Sequence, residues 1–281
     1  MGEPGVSFRE RWLEVAEGVH LRVLTWTPAR ERRPPLLVVP GWISGIESWR
    51  ELLREVLPSR RVVYVETREK PSARLERRLG AGDLGIEAAA ADLRSVVEAL
   101  GLAPEGATAV GSSLGATALL QAMKNDGLPV AGAFLIGPNA RFRIPPWARP
   151  ALFLPSRVYR AARHAAIWYL ARFRVDSRRE PEQMERYRRA LLAAEPRRLK
   201  LSARALARYT VWPGLETVRR PVAVAWAPTD SLHHEGDILR LIQVLPRGFP
   251  VRCPSNRFMH TAAIVPHLEE FEARSGPPQD P

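Results

Sequence analysis

Residues 111–115 read Gly-Ser-Ser-Leu-Gly, a G-x-S-x-G pentapeptide between an apolar run at 107–110 and a helix-forming run at 116–123. A serine lifted on a sharp strand-to-helix turn needs glycine two residues before and two after it. A Cβ at either place would crowd the neighbouring strand and helix. This context nominates Ser113 as a nucleophile, while Ser112 holds the variable position and is expected to pack or hydrogen-bond. A hydroxyl is a weak nucleophile, so a base must take its proton and an acid must fix the base's tautomer. Asp230 and His260 are the candidates, because each follows a strand-like run at the carboxyl edge where open-sheet sites form. His233 and His234 follow Asp230 too closely to be the base and are expected to begin a helix. Asp237 is the runner-up acid, set inside a helical stretch. His20, His164 and His267 read as surface or packing residues.

The elements that must hold these groups alternate. Residues 11–16 and 19–27 read as a hairpin turning at Glu17 and Gly18. Strand signals follow at 35–39, 61–65, 107–110, 130–136, 221–226 and 250–253. Helix signals fall at 48–57, 86–100, 116–123, 236–245 and 261–274, and 275–281 read as a frayed tail. Strands alternating with helices of this length predict an α/β protein with a mostly parallel sheet covered on both faces. Residues 141–220 interrupt the alternation with proline-punctuated helical segments. There 177–180 read as a capping box for a helix running through Met184, Tyr187 and Leu191. Three segments are therefore expected: a core part at 1–140, a basic all-helical cap at 141–220, and a second core part at 221–281.

Charge separates the same segments. Residues 141–220 carry 20 basic and 6 acidic side chains, a balance of +14. The rest carries 22 and 24, a balance of −2, within the whole chain's +12. Ten of the 21 aromatics lie in the interruption, among them Trp147, Phe153, Tyr159, Trp168, Tyr169 and Phe173. Positions 158, 162, 165, 169 and 173 share one helical face, expected to pack on the core, while Arg157, Arg160 and Arg163 project elsewhere. The sharper reading is a lid that attracts anionic substrates or an anionic membrane surface. Only Lys70, Lys124 and Lys200 of the 42 basic residues are lysine. The single cysteine, Cys253, excludes an intramolecular disulfide and a cysteine-rich metal site, and reads as a buried small hydrophobe. No signal-peptide core opens the chain and no run of 18 apolar residues occurs, so a cytoplasmic protein is expected.

With Ser113, Asp230 and His260 in that order, and an insertion after the sixth core strand, the chain resembles the α/β-hydrolase superfamily along nearly its whole length. The resemblance implies that Ser113 is the nucleophile, Asp230 the acid and His260 the general base. Two backbone amides should hold the oxyanion. One is Leu114, at a helix N-terminus directly after the nucleophile. The other is Trp42, since Pro40, Gly41 and Trp42 resemble the family's His-Gly-X segment, with proline in place of histidine. A second departure follows the fourth strand. Where relatives carry Asp-x-Arg-Gly-x-Gly-x-Ser, this chain reads Glu-Thr-Arg-Glu-Lys-Pro-Ser from 66 to 72, and Glu66 and Arg68 are expected to pair near the entrance.

The activity implied is cleavage of a small-molecule carboxylic ester through an acyl-enzyme, without cofactor or metal. Carbon–carbon bond hydrolysis and acyl transfer run on the same triad. A reading from another class is a non-catalytic binder that puts the cap's positive face on anionic lipid, with no specific nucleic-acid partner.

Overall fold

The computed structural model describes residues 5–102, 106–143, 181–230 and 232–275, together with 153, 158, 164–165, 167–169 and 171–172. Two long strands, β1 (Val6–Ala16) and β2 (Val19–Pro28), pair antiparallel around Gly18, whose φ of +64° suits a residue without Cβ. Then come β3 (Leu36–Val39), β4 (Val62–Val65), the two-residue β5 (Arg74–Leu75), β6 (Thr108–Ser112), β7 (Gly132–Ile136), β8 (Val222–Trp226) and β9 (Gly248–Arg252). They form one sheet in the order β1-β2-β4-β3-β6-β7-β8-β9, with β5 beside β2. Every neighbouring pair from β4 to β9 is parallel. The expected architecture is therefore present, with β1 starting five residues earlier than its pattern suggested and β5 unforeseen.

Both faces of this sheet are covered, which is why β3, β4, β6, β7 and β8 are buried along their whole length. Side chains alternate between two cores. Leu37, Val39, Val63, Ala109, Leu135 and Val224 meet α2 (Ile86–Ala99), α3 (Leu114–Met123) and a later helix on one side. Leu36, Val38, Val62, Val110, Phe134 and Ala223 meet α1 (Arg50–Val56) and the last helix on the other. Helix α2 shows the cause clearly: Ile86, Ala89, Ala90, Leu93, Val96 and Val97 recur at helical spacing and all are buried. Full burial of each large aliphatic contributes about 1.5–3 kcal/mol, so Leu93→Ala would cost about 2–5 kcal/mol.

Between β7 and β8 lie α4 (Pro181–Ala193) and α5 (Pro196–Leu206). Glu195 caps α5 by accepting from the Arg197 and Arg198 amides at 2.9 and 2.7 Å, with Pro196 in the first turn. An antiparallel bridge between Arg141 and Thr210 closes the base of this segment. The expected capping box at 177–180 lies outside the described residues, as do Trp147, Tyr159, Phe173, Arg157, Arg160 and Arg163. Val158, expected to pack on the core, is exposed, as are Phe153 and Trp168.

After β8 comes α6 (Glu235–Val244), which lies on β8 and β9 and closes the same core as α2 and α3, and after β9 comes α7 (Val265–Ser275), which packs with α1. The helix expected over 261–274 starts late, because Thr261 is extended between two short 3-10 turns. Strand β3 has β4 on one side and β6 on the other, so the winding of the sheet reverses there. The carboxyl ends of β3 and β6 lie at that reversal, where open sheets bind their ligands.

Candidate active site

Ser113 stands at that reversal between β6 and α3, with φ 51° and ψ −110°. Such dihedrals cost a non-glycine residue on the order of 1–3 kcal/mol and persist only when neighbours enforce them. The flanking glycines explain the enforcement. A Cβ on Gly111 would lie 2.7 Å from the Ala116 nitrogen, and one on Gly115 would lie 2.3 Å from the Val39 carbonyl oxygen. The Ser113 N–H donates to Ile136 O at 2.8 Å, and Thr117 Oγ1 donates to Ser113 O at 2.9 Å. The hydroxyl is thereby lifted clear of both elements.

The imidazole beside Ser113 belongs to His233. Its Nε2 lies 3.1 Å from Ser113 Oγ, and its Nδ1 lies 2.8 Å from Asp230 Oδ2. A carboxylate only accepts, so Nδ1–H donates to Asp230 and Nε2 accepts from the serine hydroxyl. Asp230 is fixed further by the Leu232 N–H at 2.8 Å and Asn256 Nδ2 at 2.7 Å. Burial pushes its carboxyl up, but the His233 charge and hydrogen bond, with the Leu232 and Asn256 donors, outweigh this and hold it at about 2. Asn139 Nδ2 also donates to Ser113 Oγ, at 3.0 Å.

His260, expected at Ser113, instead places Nε2 3.0 Å from Ser112 Oγ, while its Nδ1 donates to Asn256 O at 3.0 Å. The rejection of His233 assumed that a helix followed Asp230 at once. The chain makes a turn there, and α6 begins only at Glu235, so a spacing of three brings acid and imidazole together. Gly137, just past β7, leaves room for the ring. Gly137, Asn139 and Asn256 escaped the sequence reading. The one signal for them is position, since each lies in a loop at the carboxyl end of a strand.

The two amides expected to hold an oxyanion flank the serine. Leu114 opens α3 and so has no acceptor within the helix. The Trp42 amide is engaged by no group among the described residues. Gly41 brings the loop after β3 against the serine, where a Cβ would lie 3.5 Å from Ser113 Cβ. The side chain of Trp42 points to the insertion, donating from Nε1 to Ser202 Oγ at 2.8 Å.

The loop after β4 differs from expectation. Glu66 and Arg68 do not pair. Arg68 makes a two-pronged bond to Asp92 of α2, at 2.6 and 2.5 Å, both groups buried. Glu66 accepts from Ser72 and lies 3.6 Å from Arg22. Lys70 is buried with its ammonium on Gly41 O at 2.7 Å and Trp42 O at 2.5 Å. Arg198 of α5 donates to Lys70 O and Ala73 O at 2.5 and 3.1 Å.

His234 and His164 are exposed, and Asp237 pairs with Arg143 at 2.7 Å. Cys253 is buried and its thiol is pushed up to about 11 by burial, which leaves no thiolate for chemistry. Among the described residues no three His, Cys, Asp or Glu side chains gather as metal ligands, and no helix is long and apolar enough to cross a membrane. A hydroxyl, an imidazole and a carboxylate in series, beside two unengaged amides, can perform nucleophilic acyl transfer.

No family model and no curated protein sequence matches the chain. Solved structures do. An esterase from Thermogutta terrifontis is similar at 20% identity and a TM-score of 0.72, over 92% of this chain and 95% of its own. An enol-lactonase from Burkholderia xenovorans is similar at 16% identity and a TM-score of 0.78, over 94% and 100%. A bromoperoxidase from Bacillus anthracis is similar at 13% identity and a TM-score of 0.71, over 95% and 99%.

Proposed function

We propose that this chain, which has the α/β-hydrolase fold, is a serine hydrolase that cleaves carboxylic esters through an acyl-enzyme. The series Ser113–His233–Asp230 carries the reading. His233 Nε2 takes the hydroxyl proton as Ser113 Oγ attacks the acyl carbon, and Asp230 stabilises the imidazolium that results. The Leu114 and Trp42 amides receive the charge that develops on the acyl oxygen. His233 then gives its proton to the leaving alkoxide, and the ester C–O bond breaks. Water enters, gives a proton to the same nitrogen and attacks the acyl-enzyme; the acyl–Oγ bond breaks, Ser113 Oγ takes the proton back from His233, and the carboxylic acid leaves. The names of two relatives above, an esterase and an enol-lactonase, support an open or cyclic ester as substrate. Residues 141–220 act as a cap in this reading. Their positive balance and the exposed Phe153 and Trp168 favour apolar substrates that carry an anionic group.

Exchange of single residues tests the reading. A fluorophosphonate should label wild-type protein at Ser113 and fail on Ser113→Ala. His233→Ala should lower kcat on p-nitrophenyl esters by roughly 100- to 10,000-fold. His260→Ala should keep kcat within about tenfold, because its nitrogen serves Ser112. Labelling that survives Ser113→Ala rejects the nucleophile, and the reverse order of the two histidine variants rejects the assigned base.

A further inference from the structure

Lysine is used three times among 42 basic residues, and two of those lysines are buried with the ammonium between a pair of backbone carbonyls. Lys124 Nζ donates to Val211 O and Pro213 O at 2.7 and 2.8 Å. Lys70 Nζ donates to Gly41 O and Trp42 O. Each ammonium is a compact cation with three donors, two of which are used here on backbone carbonyls.

From this geometry we propose that Lys70 is a positioning residue of the oxyanion hole, setting the plane of the Gly41–Trp42 peptide and so aiming the Trp42 amide. In a trans peptide the carbonyl and the N–H point in opposite directions, and no cis bond occurs among the described residues. Fixing Gly41 O on Lys70 therefore turns the Trp42 N–H to the opposite side of the loop. Gly41 has no Cβ to restrain that peptide, and a Cβ added there would lie 3.5 Å from Ser113 Cβ. The second carbonyl, Trp42 O, holds the following peptide and prevents compensating rotation. Burial draws the Lys70 ammonium below its ordinary pKa, and Glu69 at 3.3 Å opposes that shift. Arg198 anchors the Lys70 backbone from α5, so the ammonium starts from a fixed base.

The inference rests on the serine-hydrolase reading, and one set of measurements separates them. Lys70→Met and Lys70→Gln are compared with wild type on p-nitrophenyl butyrate and in binding of phenylboronic acid, which forms a tetrahedral adduct on an active serine. In Lys70→Met, kcat should fall roughly ten- to a hundredfold with KM within about threefold, and boronate affinity should fall with kcat. Lys70→Gln, which keeps a donor, should recover part of both. A folded Lys70→Met variant with kcat within about threefold of wild type overturns the inference. Where neither variant folds, wild-type protein decides through nitrogen-15 NMR. A slowly exchanging Lys70 ammonium signal is expected, and its absence overturns the inference. Wild-type protein that neither turns over ester nor labels at Ser113 overturns the serine-hydrolase reading, and this inference with it.

Discussion

A methyl group placed on Gly137 would lie 2.8 Å from His233 Nδ1 and 3.0 Å from Cε1, closer than non-bonded atoms approach. The same residue has φ +51°, where a side chain costs about 1–2 kcal/mol. Gly137→Ala should therefore displace the imidazole, lowering kcat by on the order of 100-fold while the variant stays folded. Steady-state kinetics beside circular dichroism check this. Asp230 adds a pH dependence. Its folded carboxyl is held at about 2, below the ordinary carboxylate range, and its side chain is 4% exposed. A depressed carboxyl contributes stability fully above its unfolded pKa and loses it as pH falls through the folded one. The contribution is about 2 kcal/mol. The stability gap between wild type and Asp230→Asn should hold at pH 5 to 7 and shrink between about pH 4 and 2, as denaturant titration would show. Why the base eluded sequence reading also belongs at this scale. Three residues of separation keep side chains apart in a strand, but the chain turns after β8 and brings these two together; Pro228, Thr229 and Asp230 mark a turn without saying which side chains it apposes.

Helix α5 is the element most closely tied to the proposed oxyanion loop. Ser202 accepts from the Trp42 indole, and Arg198 holds two carbonyls of the loop that supplies Lys70. Hydrogen bonds from a charged donor contribute about 1.5–3 kcal/mol. Arg198→Ala should speed amide hydrogen exchange in α5 and in residues 70–73 together, leaving α2 and α3 unchanged. Exchange that quickens in α5 alone would mean the two elements are uncoupled. This tie was not legible beforehand. Residues 66–72 read as charges near an entrance, and local spacing suggested Glu66 with Arg68. The observed partner, Asp92, lies 24 residues away on α2.

Across the whole molecule, legibility follows how local each cause is. A parallel strand buried on both faces reads as a largely apolar run, so β3, β4, β6, β7 and β8 stood out without knowledge of their neighbours. The turn at Ser113 was legible because two glycines are required within five residues. The partners of Ser113 come from the ends of different strands, and their register depends on how β7, β8 and β9 stack. Charge was read as a balance for each segment, and the structure adds where the few ammonium groups sit. Its two enclosed ammonium groups leave Lys200, half-buried on α5, as the lysine side chain that reaches solvent. Reagents that acylate primary amines, in cross-linking or in coupling to a resin, will thus meet a surface rich in cation and almost without side-chain amine. Whatever attaches there attaches to the helix that grips the site.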